Sequence, residues 1–473
     1  MMNRAFWRPF LLISGTVLIL GILAWFIPAC ENKTLPIKKL NWFESIFTRN
    51  NKSLDVELAK HADSLHIESE LTPLERFRDE LKRSGHSGNV RIAYFGDSII
   101  EGDLLTGKLR QLFQSSQGGN GIGFMPITSV SAGFRNTINH SFSRNWESIS
   151  FMTSGRNDIS LGISGFTFIP RGYYIVEKAI ETEIDTLAFA DSTIVETPPK
   201  KQNQRHYVNS NPWVSYSAVD ALGGCKNFAR IRLFYSQASD SSFVIASYDG
   251  GEPVKRSLRR GDGLQVLDLS PDTPVKSIRL EFSAYDPIHV YGVSLDQKSG
   301  VYVDSFTIRG YSGMYFQRIF EQTISEFQRS LDYDLVILHY GVNVSNQNTR
   351  DYGYYKRGMI RTLEHLKKGF PDIPIMLVSA HDRSIKLQGS YRTSPDIPIL
   401  VNTQGEIALE TGSAFWNLFQ AMGGYNSMVK YVNSNPPLAQ KDHTHFNRTG
   451  ANYIAEMLYN TIMGIDEIPP LPQ

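Results

Sequence analysis

Cysteine is nearly absent from this chain. Its 473 residues hold two, Cys30 and Cys225, too few for a disulfide framework or a thiolate metal site. Cys225 reads as a small buried hydrophobe. An excess of charge of one sign is absent too. Lys and Arg number 48 against 47 Asp and Glu, a net of +1, so the basic footprint that nucleic acid requires is missing and no such partner is expected. No spacing resembles a zinc site or a phosphate-binding glycine loop, and no metal or cofactor is expected. The glycine-rich stretch Gly118–Gly123 lacks the strand-before, helix-after setting of a dinucleotide fingerprint and reads as a flexible loop.

Apolar material is plentiful: 41% of residues are hydrophobic and 12% aromatic, enough for the cores of two or three folded units. Arg4 and Arg8 precede an uncharged, predominantly apolar run from Phe10 to Ala29. About twenty residues at about 1.5 Å each span roughly 30 Å, the thickness of a hydrocarbon core. Basic residues on its N-terminal side hold that end in the cytoplasm and send the rest across. Two readings stay open for residues 1–30. One is an uncleaved signal anchor. The other is a lipoprotein signal, Ile27-Pro28-Ala29-Cys30, with Cys30 lipidated. Either way the remainder is expected outside the cytoplasm, tethered to a membrane.

Residues 31–85 read as a spacer in which Pro73-Leu74-Glu75-Arg76-Phe77 opens a short amphipathic helix. Val90 to Phe95 reads as a strand that ends in Gly96-Asp97-Ser98. A helical pattern with Leu105, Leu109, Leu112 and Phe113 on one face follows it. From about 131 to 299 the pattern changes to short alternating runs. Arg230 to Tyr235 and Ser277 to Phe282 have the period of half-buried antiparallel strands, separated by turn signals such as Asp249-Gly250-Gly251. An inserted all-β sandwich is expected there, with a long loop over about 180–207. After 300 the α/β rhythm returns. Strands are expected at Val301–Ile308, Leu335–His339 and Ile373–Ser379, and helices at Tyr315–Leu331, Gly353–Lys368, Glu406–Met422 and Arg448–Met463. That alternation predicts a parallel sheet covered on both faces.

In such sheets ligands lie beyond the carboxyl ends of the strands. The residues found there are Ser98, the Gly310-Tyr311-Ser312-Gly313 loop, Gly341-Val342-Asn343 and, before the last helix, Asp442-His443-Thr444-His445. A serine hydroxyl becomes a nucleophile when an imidazole takes its proton, and a carboxylate fixes that imidazole. Ser98, His445 and Asp442 fit these three roles. The Ser98 and Gly313 amides and the Asn343 side chain are candidate donors to an oxyanion, and the start of a helix at Ser98 adds a favourable dipole. Each residue alone has an ordinary structural reading. Their shared sheet edge is what points to catalysis. His443 is the weaker candidate base, because a side chain two residues from His445 points elsewhere. His381-Asp382 reads as loop polarity or a substrate contact.

The Gly-Asp-Ser block, Gly313, Gly341-x-Asn343 and the terminal Asp-x-x-His resemble the four blocks of the SGNH (GDSL) hydrolases. The resemblance covers about 86–130 and 300–467, with Val344 standing where an Asp often follows the third-block Asn. Phe95 to Ser98 through Glu101-Gly102-Asp103, Gly123-Phe124-Met125-Pro126, Val303-Asp304-Ser305 and Phe415-Trp416-Asn417 are similar to bacterial peptidoglycan O-acetyl esterases. The resemblance implies an α/β, three-layer parallel-sheet fold with a sandwich insertion like a carbohydrate-binding module, in the order 1–30 anchor, 31–85 spacer, 86–130 hydrolase, 131–299 insertion and 300–467 hydrolase. It further implies removal of acetyl groups from muramoyl residues outside the inner membrane, facing the periplasm, with an acetylated glycan as partner. Three alternatives stay open. The same triad serves an acetyltransferase, or an esterase acting on another acetylated polysaccharide. The third is a non-catalytic carbohydrate-binding surface protein whose insertion stacks sugars on Trp213, Tyr216 and Tyr235, although core packing is the plainer reading of those rings.

Overall fold

The computed structural model describes residues 68–84, 88–153, 155–179, 201–283 and 288–466, with the side chains of 177–179 and 201–202 outside that description. The apolar run Phe10–Ala29 and the segment 180–200 lie outside the described residues. Among the described residues no helix is long and apolar enough to cross a membrane.

Five strands form one parallel sheet: β1 (Asn89–Gly96), β2 (Gly300–Thr307), β3 (Leu335–His339), β4 (Ile375–Val378) and β5 (Ala414–Trp416), in the order β2-β1-β3-β4-β5. The strands are apolar almost throughout because both faces are covered. Alternate residues feed two cores. Phe95, Phe306, Leu338, Leu377 and Phe415 pack with helices α3 (Glu321–Leu331), α4 (Gly353–Gly369) and α5 (Ile397–Thr411). Tyr94, Val303, Ile337, Met376 and Trp416 pack with α1 (Glu75–Ser84), α2 (Thr106–Gln117) and α6 (Arg448–Met463) on the other face. The α6 helix is capped at both ends: the Asn447 side chain accepts from the Gly450 amide, and Gly464 closes it at φ 71°.

Several expectations are corrected. The stretch 406–422 is not one helix. Helix α5 ends at Gly412 and is followed by strand β5 and a single turn, Leu418–Ala421. Residues 315–320 hold only a short 3-10 turn before α3. The C-terminal part of the expected spacer belongs to the α/β body, since Leu74, Phe77 and Leu81 are buried and Glu70 bridges Phe415. Within the expected loop over 180–207, Lys201–Tyr207 is a strand paired with Tyr173–Ala179.

Beside that two-stranded pair, the chain between α2 and β2 forms two larger antiparallel sheets. One contains Ile138–Phe142, Trp213–Ala218, Ser277–Phe282, Phe243–Tyr248 and Val254–Ser257. The other contains Gln265–Asp268, Arg230–Ser236, His289–Asp296, Phe166–Pro170 and Trp146–Ser150. Gly123–Met125 joins this second sheet against His289–Asp296, ahead of the expected boundary at 131. Gly118–Gly123 is therefore a neck rather than a free loop. At Gly300 (φ 129°) a Cβ would stand 2.2 Å from the Gly119 Cα, so only glycine lets the two passages of the neck meet.

The second sheet is buried on both faces. One face packs on the first sheet, and the other sends Phe124, Phe234 and Tyr291 into the core of the α/β body, where Phe234 stacks on Phe327 at 5.6 Å. Arg230–Ser236 is accordingly buried beyond its first residue, although its sequence alternates. Arg232 is inside because Asp296 pairs with it at 3.1 Å. Asp296 also meets Arg91 of β1 at 2.7 Å, and Arg91 binds Asp304 of β2 at 2.8 Å. Tyr333 and the Phe124 amide donate to Asp304 as well.

This cluster fixes the insertion to the sheet. Removing one partner of a buried ion pair leaves the other charge uncompensated. Arg91→Met is therefore expected to cost about 3–5 kcal/mol, read as a fall in the guanidinium unfolding midpoint. Asp304→Asn, which leaves Arg91 paired with Asp296, should cost less.

Candidate active site

The strand order reverses between β1 and β3, and that switch point is where open α/β sheets bind ligands. Ser98 follows β1 and Asn343 follows β3, so the two flank the crevice. Asp97 caps the short 3-10 segment Ser98–Asp103, its side chain accepting from the Ile99 amide at 3.0 Å. The segment breaks at Glu101 and Gly102, and α2 starts only at Thr106. The helix dipole expected at Ser98 is thus displaced along the chain.

His445 arrives from the loop before α6. Its Nε2 lies 3.2 Å from Ser98 Oγ, and its Nδ1 lies 2.7 Å from Asp442 Oδ2. The His445 backbone N–H donates to Asp442 Oδ1 at 3.0 Å, so the carboxylate holds the ring and its own peptide at once. Burial pushes the Asp442 carboxyl upward, but the hydrogen bonds from His445 and Thr444 outweigh it and hold the group below its ordinary value. Gln440 N–H donates to His445 O at 2.8 Å, and His381 Nε2–H donates to Thr444 O at 2.8 Å. His381 is fully buried beneath the loop, and Asp382 accepts from the Met428 amide; both support the scaffold. His443 stacks on Tyr391 at 3.6 Å, away from Ser98.

The expected oxyanion donors are brought together only in part. Ser98 and Asn343 line a cleft of about 740 Å³ together with His445, whereas Gly313 does not line it. Gly310 faces the cleft instead. Tyr311, buried and stacked on Phe151 at 4.8 Å, turns the loop so that Gly313 lies over the Tyr340 ring. The Asn343 amide donates to Asp97 Oδ2 at 2.7 Å and to the Tyr311 carbonyl at 3.2 Å. An oxyanion would have to replace the Tyr311 carbonyl as acceptor.

Other cleft residues were not singled out from sequence. Glu101, buried, pairs with Arg309 at 2.6 Å across the cleft wall, and Phe134 and Arg448 close its sides. Arg309 follows the end of β2, so the sheet-edge rule reaches it. Glu101 and Phe134 carry no such signal. The expected sugar-stacking rings are elsewhere: Tyr216 and Tyr235 are buried in the sandwich core, and Trp213 lies under Arg279 at 4.0 Å.

No family model and no curated protein matches this sequence. Among solved structures, a peptidoglycan O-acetylesterase aligns with a TM-score of 0.62 at 19% identity, covering 83% of this chain and 95% of that one. The two chains share a fold over most of their lengths. An acetyl xylan esterase also aligns, at 17% identity over 34% of this chain and 80% of its own, with a TM-score of 0.25. The acetylxylan esterase Axe2 from Geobacillus stearothermophilus aligns at 18% identity over 36% and 76%, with a TM-score of 0.25. At those scores neither bears on the fold assignment.

Asp97 supplies a pH test of this arrangement. Burial drives its carboxyl up to about 6 from an ordinary 3.8, against the opposing hydrogen bonds from Ile99 and Asn343 and the attraction of His445. A folded-state pKa raised in this way contributes stability that is present below about pH 4 and is lost as pH rises through 6. The loss amounts to roughly 3 kcal/mol. Asp97→Asn lacks it. The stability of the variant relative to the native chain should therefore climb by up to that amount between pH 4 and pH 7, measured by urea unfolding at both.

Proposed function

We propose that this chain is a serine carboxylic ester hydrolase that removes O-acetyl groups from a cell-wall glycan, with muramoyl residues of peptidoglycan as its target. The observation that carries the reading is the continuous Ser98–His445–Asp442 hydrogen-bond chain at the open switch point of the sheet. His445 Nε2 takes the Ser98 proton as Oγ attacks the acetyl carbonyl, and Asp442 stabilises the imidazolium that forms. The oxyanion is held by amides at Ser98 and by Asn343, with the Gly310–Gly313 loop contributing once the ester is seated. His445 then gives its proton to the departing sugar oxygen, leaving an acetyl group on Ser98. Water, deprotonated by His445, attacks that acetyl group; the Ser98 Oγ–acyl bond breaks, His445 returns the proton to Oγ, and acetate leaves.

A carbohydrate target is supported by the wide, solvent-open cleft and by the fold shared with a peptidoglycan O-acetylesterase over most of both chains. The cellular setting is part of the same proposal. The uncharged run Phe10–Ala29 behind Arg4 and Arg8 supports a chain tethered to the inner membrane and facing the periplasm, or lipidated at Cys30.

Ser98→Ala is expected to abolish acetate release with an unchanged melting temperature. Asp442→Asn should lower kcat by about 10³- to 10⁴-fold, since it leaves the imidazole without its anionic partner. Acetate release from O-acetylated peptidoglycan should exceed that from acetylated xylan. The reverse order would move the substrate to another polysaccharide while leaving the chemistry in place.

A further inference from the structure

A second cavity, of about 250 Å³, opens where the insertion meets the sheet. Glu101 and Arg309 line both cavities, so their ion pair is the wall shared with the cleft of Ser98. The lining of this second cavity is unusual in its polar groups. Ser305 and Thr307 come from the end of β2, and Ser164 comes from the loop before strand Phe166–Pro170. The hydroxyls of all three, Glu101 Oε1 and Arg135 Nε are buried without a hydrogen-bond partner in the protein. Ser164 is 5% exposed, Ser305 8% and Glu101 7%. Buried polar atoms in folded proteins are nearly always paired, so five orphans around one cavity need partners from whatever fills it. At the mouth, Val130 and Met152 are 83% and 62% exposed and add apolar surface beside the polar lining.

We propose that this cavity is a subsite for a neutral, hydroxyl-rich sugar ring, the neighbour of the acetylated residue along the glycan. The proposal rests on the esterase reading for what occupies the adjoining cleft. A pyranose matches the lining on both counts. Its hydroxyls donate to Glu101 Oε1 and exchange hydrogen bonds with Ser164, Ser305 and Thr307 after a small rotation of those side chains. Its C–H face lies on Met152 and Val130. The size fits one ring: at about 30 Å³ per water, the space equals about eight waters.

The charges favour a neutral group. Arg309 already pairs with Glu101, and Arg135, the other cation in the wall, faces Asp103 at 3.7 Å and keeps an unpaired Nε–H that a sugar hydroxyl can accept from. A carboxylate entering here would meet the Glu101 carboxylate at Oε1.

The test uses Thr307→Val, which keeps the side-chain shape, and Met152→Ser, whose exposed position tolerates exchange. Each is assayed in the full chain on O-acetylated glycan oligomers and on p-nitrophenyl acetate, which has no sugar. Each is also combined with Ser98→Ala and titrated calorimetrically with chitotetraose, a neutral oligosaccharide. The subsite predicts a loss of about 3- to 10-fold per variant in kcat/KM on the glycan, unchanged hydrolysis of p-nitrophenyl acetate, and a matching loss of chitotetraose affinity. Equal losses on both esters, or no change on either, would overturn it. Should the native chain hydrolyse neither ester, the esterase reading fails. The titration still decides the subsite then: weakened binding in the variants supports it, and absent or unchanged binding refutes it.

Discussion

Arg91 reaches from β1 of the parallel sheet to two carboxylates at once, Asp304 on β2 and Asp296 on the inserted domain. All three are buried, and Arg232 completes the charge balance from the insertion's side. Burial alone would push the Asp296 carboxyl upward, yet the two arginines hold it below its ordinary value, so it is a fixed anion at neutral pH. The position of the sandwich follows from this cluster. Hydrophobic contact supplies the adhesion, through Phe124 and Phe234 against Phe306 and Phe327, while the ion cluster supplies the registry. Because the two bodies share one core, the space between them has defined walls.

The candidate site is assembled from four separate loops, and each is tied down by a different device. Asp97 holds Ile99 on one oxygen and Asn343 on the other, joining the loops after β1 and β3. Buried Tyr311 anchors the loop after β2 among Phe151, Phe316 and Tyr340. The loop of His445 rests on buried His381 and on the cap of α6. Ser98 and His445 therefore meet without either being held by the other. Ser98 Oγ and His445 Nε2 lie within hydrogen-bond reach, whereas the Asn343 amide still donates to the Tyr311 carbonyl, which a substrate oxygen would have to displace in the proposed reaction.

Much of this could be read from residues. Strands β3 and β4 show as apolar runs, and β1 and β2 as apolar runs broken by Arg91 and by Asp304-Ser305, because a doubly covered parallel strand has no polar face. Ser98, Asn343, Asp442 and His445 could be grouped because the rule about carboxyl ends of strands turns four scattered residues into one edge. The failures have equally local causes. Strand β5 is three residues long and lies between two helical patterns, so periodicity merges it into a helix over 406–422. Arg230–Ser236 alternates like a half-exposed strand because its polar member, Arg232, has an ion partner 64 residues away. The turn that brings Gly310 rather than Gly313 to the cleft depends on the stacking of Tyr311, which no spacing encodes. Glu101 and Phe134 become visible only once the insertion is seated.

The central claim is that Ser98 carries the acetyl group between glycan and water. Acid quenching during turnover of p-nitrophenyl acetate, an activated ester whose deacylation is the slow step, followed by peptide mass spectrometry, tests it directly. The account predicts one added acetyl group on the peptide containing Ser98, absent from the Asp442→Asn protein at the same early time. Acetate release with no acetyl group on Ser98, or with the group on another residue, would contradict it.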